Sequence, residues 1–195
     1  MPTNILLLPT TISSFMNAIS RSASEGATQG GGAVTIKALG CLYAVDPQEE
    51  AREEFAIPEI ARLEDLLEVD GILLLLRDAG DATRAIRFLK QAANLPEHRL
   101  FIGKLGSVFV VPGAASQGPG DWGKELAYEM MKLGMIVAEL PYRFLIGNEL
   151  DGADGKAAAG PSLVQLVAAR MHARHIAALT RRIDPERCSQ AELIG

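Results

Sequence analysis

Hydroxyl side chains follow the first apolar run of the chain. The run covers residues 4–8 (NILLL), and Thr10, Thr11, Ser13 and Ser14 lie between it and a segment with helical spacing. Serine and threonine are preferred at helix N-caps, and the N–H groups and positive dipole end of a helix N-terminus attract anions. The segment therefore predicts either a phosphate-binding loop or hydroxyls that only cap the helix.

Charged side chains follow a second apolar run, residues 71–76 (GILLLL). The loop after this run contains Arg77 and Asp81, and Arg84 lies in the first turn of the next predicted helix. An arginine here can pair with a phosphate or a carboxylate through its planar set of donors. Exposed charges in a loop can also simply be solvated, and the sequence leaves both interpretations open.

A loop of small residues, 112–120 (PGAASQGPG), follows a further apolar run. Ser116 and Gln117 can hydrogen-bond to a ligand, and the small side chains beside them let a planar group approach the backbone closely. Trp122 comes next in the chain. Its indole either covers such a ligand or packs against its own domain or a second subunit.

Other combinations of reactive side chains carry little signal. His172 and His175 are spaced like two ligands on one helical turn, but no third ligand lies near them in the sequence. We expect them in solvated or interface positions and predict no metal site. Cys41 has no neighbours that would activate a thiol, and the P-loop motif is absent.

Length and composition limit the class of protein. The chain has 195 residues, is 48% hydrophobic and carries 19 basic against 24 acidic residues, a net charge of −5. We expect one domain over residues 1–195, with 183–195 as a tail, and no nucleic-acid partner. No apolar run approaches the roughly 20 residues of a membrane-spanning helix. The two widely separated cysteines favour the reducing cytoplasm.

The elements that position these loops follow from hydrophobic patterning. We predict strands at residues 4–8, 33–39, 71–76, 106–111 and 135–140, and helices at 15–25, 58–68, 82–93, 122–133 and 161–182. Strands alternating with helices indicate an α/β fold, a doubly wound five-stranded parallel sheet with helices on both faces. Ligands of such sheets bind at the carboxyl ends of the strands, which selects the loops after the first, third and fourth strands.

Several segments together resemble a known family. They are GKLGSVFV (103–110), LGMIVAELPY (133–142), DGADGKAAAGPS (151–162), AARMHARHIA (168–177) and the N-terminal segment 4–27. In this order they are similar to motifs of the flavodoxin-like NAD(P)H:quinone oxidoreductases of the WrbA type. The resemblance covers most of the chain and implies a flavodoxin-like fold.

The resemblance also implies FMN as cofactor, hydride transfer from NAD(P)H to a quinone, and a homo-oligomer, either a dimer or a tetramer. The family's ring-binding PTRFGN is replaced here by a charged segment beginning at Arg77, and its histidine before GMV is Leu133. These replacements suggest an alternative, a homologue without flavin that serves as a ligand-binding, regulatory or subunit-interaction module. The resemblance identifies no catalytic residue, and the candidate cofactor-binding residues are Thr10, Thr11, Ile12, Ser13, Ser14, Phe15, Arg77, Asp78, Ala79, Gly80, Asp81, Pro112, Gly113, Ala114, Ala115, Ser116, Gln117 and Gly118.

Overall fold

The secondary structure alternates between strands and helices. A computed structural model describes residues 3–39, 59, 61–77, 79–111, 120–139 and 160–183. Within these ranges the strands are β1 (Thr3–Pro9), β2 (Gly32–Ile36), β3 (Gly71–Leu76), β4 (Leu105–Val110) and β5 (Ile136–Val137). The α-helices are α1 (Ser14–Gln29), α2 (Ala79–Ala92), α3 (Gly120–Lys132) and α4 (Leu163–Thr180), and 3₁₀ helices cover Leu63–Leu66 and His98–Phe101.

The five strands form one parallel sheet in the order β2-β1-β3-β4-β5. The chain leaves β1 towards β2 and then returns to place β3 on the other side of β1. The strand order therefore reverses between β1 and β3, and this switch point is where ligands bind in sheets of this class. The predicted α/β fold with a doubly wound parallel sheet is confirmed.

The sheet separates two apolar layers, because successive side chains of a strand point to opposite faces. Ile5 and Leu7 of β1 pack with α1 and α4 on one face. Leu6 and Leu8 pack with α2 and α3 on the other. All six residues of β3 are buried, as the continuous apolar run of this strand predicts.

Helices α1 and α4 lie unusually close together. A Cβ atom placed on Gly26 would be 2.7 Å from the carbonyl carbon of Arg170, and one placed on Gly30 would be 2.8 Å from Cβ of Ala177. The Ser22 hydroxyl donates to the Leu166 carbonyl at 2.8 Å across the same contact. Glycine at these positions therefore allows the two helix backbones to touch.

The prediction of a helix over residues 58–68 is wrong in its described part. Only the 3₁₀ turn Leu63–Leu66 forms there. The carbonyls that follow it bond instead to Lys104, whose Nζ donates to Leu66, Leu67 and Val69 at 3.1, 2.6 and 2.6 Å. The lysine that immediately precedes β4 thus satisfies groups that a continuing helix would have paired internally.

Element boundaries also differ from expectation. Strand β5 covers Ile136–Val137 and, among the described residues, pairs only with β4, whereas we predicted a strand over residues 135–140. Helix α1 continues through Gly26, which we expected to lie at its end. In the part of the chain that the structure describes, no helix is both long and apolar enough to cross a membrane.

Candidate functional site

The first loop leaves β1 beside the carboxyl end of β3. Pro9 pairs with Leu75 in the sheet, and Thr10 donates both its backbone N–H (3.1 Å) and its hydroxyl (2.9 Å) to the Leu75 carbonyl. Thr10 is buried, and Ile12 is buried after it. The loop is therefore attached to the switch point of the sheet before helix α1 begins.

Helix α1 begins within this loop. Ser13 is its N-cap, with extended backbone at φ −157°, and the Ser13 hydroxyl oxygen accepts from the N–H of Met16 at 3.2 Å. In this cap the Ser13 hydroxyl acts only as a hydrogen-bond acceptor. The start of α1 consequently presents its positive dipole end and the Ser13 hydroxyl hydrogen at the carboxyl edge of the sheet.

Asp81 connects the first loop to the second. Its Oδ1 accepts from the Thr11 hydroxyl at 2.5 Å and from Nη2 of Arg84, and its Oδ2 accepts from the backbone N–H of Arg77 at 2.8 Å. Nη2 of Arg84 also lies 3.3 Å from the Thr11 hydroxyl oxygen. We call Thr11, Asp81, Arg84 and the Arg77 N–H the Asp81 network.

The Asp81 network holds a buried charge. The Asp81 side chain is 0% exposed and its partner Arg84 is 22% exposed. A buried carboxylate is costly unless an opposite charge and several donors surround it, and here a guanidinium, a hydroxyl and an N–H do so. Because Thr11 and Asp81 are 70 residues apart, the network fixes the two loops to each other.

Arg77 reaches across the same edge to the first helix. Its guanidinium carbon lies 4.9 Å from the centroid of the Phe15 ring, the distance of a cation–π contact. Arg77 is exposed and Phe15 is half-buried. The first and second loops thus meet at two points, at the Asp81 network and at this stacked pair.

The residues of the first loop fit the phosphate of FMN through the start of α1. Ser13 and the backbone there can donate to an anion. The hydroxyl hydrogens of Thr10 and Thr11 are directed to Leu75 and Asp81. These two residues, with the buried Ile12, remain candidates through their backbone atoms rather than through side-chain donors.

Part of the predicted site cannot be placed. Asp78 and residues 112–118 lie outside the described residues, as does the side chain of Trp122. Gly80 is exposed in the first turn of α2. Of the predicted residues, the structure brings Thr11, Phe15, Arg77 and Asp81 together.

A second polar pair, between β4 and α4, was not predicted. Nε2 of His172 lies 2.7 Å from Oγ of Ser107, which in turn donates to the Ala138 carbonyl at 2.6 Å. Both side chains are 0% exposed, so our expectation of a solvated or interface His172 is wrong. A signal existed in the sequence, because His172 lies three residues after Ala169 and four before Ile176, both on the apolar face of α4.

The hydrogen bonds of this pair show a structural role. Ser107 has one hydroxyl hydrogen, and because Ala138 accepts it, Nε2 of His172 must be the donor to Ser107. A general base would need its lone pair at that position. Burial, with a smaller effect from His175, lowers the pKa of His172 to about 4, and its ring packs edge-on against Phe109 with the centroids 5.5 Å apart. The neutral histidine ties α4 to the sheet.

Similarity to known proteins identifies the family of this chain. No protein-family model matches the chain. An NAD(P)H dehydrogenase (quinone) of Brucella abortus is 30% identical, with 87% of this chain and 92% of that protein covered. The chain belongs to the NAD(P)H dehydrogenase (quinone) family. A further member of the family, NAD(P)H dehydrogenase (quinone) 3 of Rhizobium meliloti, is 27% identical over 90% of this chain and 91% of its own length.

Solved structures support the fold. A flavodoxin, WrbA-like protein from Agrobacterium tumefaciens superposes with a TM-score of 0.57 at 12% identity, covering 93% of this chain and 99% of that one. The diflavin flavoprotein A3 from Nostoc has a TM-score of 0.56 at 14% identity, covering 96% and 99%. The flavodoxin-like fold that the motifs implied for this family member is confirmed.

Proposed function

We propose that the chain is an FMN-dependent NAD(P)H:quinone oxidoreductase. FMN, when bound, takes a hydride from NAD(P)H and delivers reducing equivalents to the quinone. The observation that carries the proposal is the meeting of the first and second loops at the switch point, beside the N-terminus of α1. The relatives named NAD(P)H dehydrogenase (quinone) supply the reaction class.

Each described residue has a proposed part in binding. Ser13 and the first N–H groups of α1 hold the phosphate, because they combine donors with the positive end of the helix dipole. The half-buried Phe15 ring and the exposed Arg77 guanidinium form a cation–π pair against which the flavin can pack. The loop of residues 112–118 is the proposed third contact, on the basis of the family resemblance. We also propose a single domain over residues 1–195 and a cytoplasmic location.

We further propose that the protein is a homo-oligomer, a dimer or a tetramer. Apolar side chains on the outer side of α4 support this: Leu163, Val164, Val167 and Met171 are 77%, 41%, 41% and 48% exposed. They recur at helical spacing and form one stripe, which we call the α4 stripe. An exposed apolar stripe opposite a buried helix face is typical of a surface that a second subunit covers.

Two matched helix caps provide the test of the flavin site. Ser13 caps α1 at the proposed site, whereas Ser162 caps α4 and accepts from the N–H of Gln165 at 3.3 Å. Both Ser→Ala variants should lose about 1 kcal/mol of stability. Only Ser13→Ala should also weaken FMN binding, by roughly threefold, because it alone removes a donor to the phosphate.

The measurement is a titration of the purified protein with FMN, followed by flavin absorption and fluorescence. An assay of NADH and NADPH oxidation with a benzoquinone as acceptor accompanies it. The expected result is saturable FMN uptake and FMN-dependent quinone reduction. A protein that takes up no FMN would overturn the proposed function and favour the flavin-free module, an alternative supported by the internal bonding of Thr10 and Thr11.

A further inference from the structure

The phosphate end of the proposed site contains a negative charge of its own. Asp81 lies in the first turn of α2, yet its side chain turns to the first loop and contacts Thr11 at 2.5 Å. It is fully buried, so water screens its charge poorly. The residue that this carboxylate contacts, Thr11, lies two residues before Ser13, the N-cap of α1 at which the phosphate is proposed to bind.

The hydrogen bonds of Asp81 also weaken phosphate binding, because they occupy donors that a phosphate would need. Thr11 has a single hydroxyl hydrogen, and it is donated to Asp81. Phosphate oxygens only accept hydrogen bonds, so this hydroxyl cannot serve a phosphate while Asp81 holds its hydrogen. Arg84, a natural partner for a phosphate, is likewise paired with Asp81.

We propose that Asp81 determines how strongly the site favours a phosphorylated ligand. It neutralises the Arg84 guanidinium and holds Thr11 and Arg84 in internal contacts, so the phosphate of FMN adds little to the affinity already supplied by the flavin ring. This inference rests on the proposed function, because it concerns the same flavin site. Asp81 is a specificity-determining residue and takes no part in hydride transfer.

The substitution Asp81→Asn removes the negative charge and releases the donors of Thr11 and Arg84, with little change in side-chain size. The amide oxygen can still accept from the Arg77 N–H, which preserves the turn into α2. The amide nitrogen donates instead of accepting, so it can bond to the Thr11 oxygen and leave the Thr11 hydrogen for the phosphate. The Arg84 guanidinium no longer meets a carboxylate at position 81 and can turn to the phosphate.

Asp65 offers a matched control. Like Asp81, Asp65 lies near the start of a helix, accepts a backbone N–H and pairs with a cation. Its helix is the 3₁₀ turn Leu63–Leu66, the N–H belongs to Arg62 at 2.7 Å, and the cation is Lys37 at 2.7 Å. Asp65→Asn therefore removes the same charge and weakens the same kind of cap. Neither of these two partners of Asp65 belongs to the Asp81 network.

The experiment measures dissociation constants for FMN and for riboflavin, which lacks the phosphate, in the wild type and in both variants. Their ratio isolates the contribution of the phosphate. Asp81→Asn should raise the preference for FMN at least about tenfold, the size expected for removing a poorly screened unit charge nearby. Asp65→Asn should leave the preference within about twofold of wild type.

The wild type itself gives a second measurement that does not depend on a variant folding. Its preference for FMN over riboflavin should be below about tenfold, whereas a preference of a hundredfold or more would overturn the inference. An unchanged or reduced preference in folded Asp81→Asn would also overturn it, while FMN uptake by the wild type would leave the proposed function standing. If the wild type binds no flavin, the proposed function fails, and the inference survives only if Asp81→Asn gains FMN binding.

Discussion

Gly26 sets the distance between α1 and α4, and replacing it with alanine should destabilise the protein. A Cβ at this position would lie 2.7 Å from the carbonyl carbon and 2.8 Å from Cα of Arg170. Ordinary carbon contacts are about 3.5 Å, so the helices must separate by roughly 1 Å. The obstacle is backbone, which cannot turn away as a flexible side chain would.

Two opposing free energies decide the size of the effect. Alanine favours the helical conformation over glycine by about 1 kcal/mol. Overfilling a packed contact costs about 1–3 kcal/mol and more when backbone must move, and here the displaced helix α4 also carries Ala169, Ala173 and Ala177 of the core. We expect Gly26→Ala to lower the free energy of unfolding by about 2 kcal/mol, and the melting temperature by about 4–8 °C.

Gly123 supplies the matched control for this substitution. It lies in the first turns of α3, and a Cβ there would have nothing within 4 Å. Gly123→Ala should gain up to about 1 kcal/mol, so the two variants should differ by about 3 kcal/mol. The assay is urea unfolding followed by far-UV circular dichroism. If Gly26→Ala is as stable as the wild type, the reasoning from the close helix contact is refuted.

Three further predictions concern His172, Lys104 and the α4 stripe. His172 has a pKa near 4 in the folded protein against 6.5 normally, so only the unfolded chain binds a proton between these values; stability should fall as the pH drops from 6.5 to 4. Urea unfolding should show that the free energy of unfolding falls by about 3 kcal/mol over this pH range in the wild type but not in His172→Gln. The same pH dependence in both proteins would contradict the prediction. Lys104→Met leaves three carbonyls without their donor and should cost about 1–3 kcal/mol in the same assay, whereas an unchanged midpoint would argue against the contact. Met171→Glu places a charge within the α4 stripe and should reduce the mass measured by light scattering, whereas an unaltered oligomer would exclude the stripe as its interface.

Local patterning was sufficient to predict the sheet but not its edges. The continuous run of β3 and the apolar segment of β1 predicted buried parallel strands, because burial on both faces leaves little choice of residue type. Among the described residues strand β5 covers only part of its apolar segment and lies at the edge of the sheet beside β4. In the described part of residues 58–68 a 3₁₀ turn forms instead of the expected helix, and nearby carbonyls accept from Lys104, a residue distant in the chain that no local pattern indicates.

The candidate site was predicted by position rather than by contact. Topology selected the loops after the first and third strands, and the structure places them together at Asp81 and at Phe15. The hydrogen bond between Thr11 and Asp81 spans 70 residues, and no local periodicity carries such information. For the same reason the sequence left the Thr11 hydroxyl as either a phosphate ligand or a helix cap, and neither interpretation included its donation to Asp81.

The Asp81 network also limits how this sequence can vary. A change at Asp81 to an apolar residue would remove the carboxylate that Thr11 and Arg84 contact, whereas losing Arg84 would remove a cation paired with a buried carboxylate. The free-energy costs of such changes are therefore strongly non-additive, and a second substitution can offset the first. Relatives of this chain should accordingly exchange positions 11, 81 and 84 as a set, and a family member that keeps only one of the three should show a differently arranged junction between its first two loops.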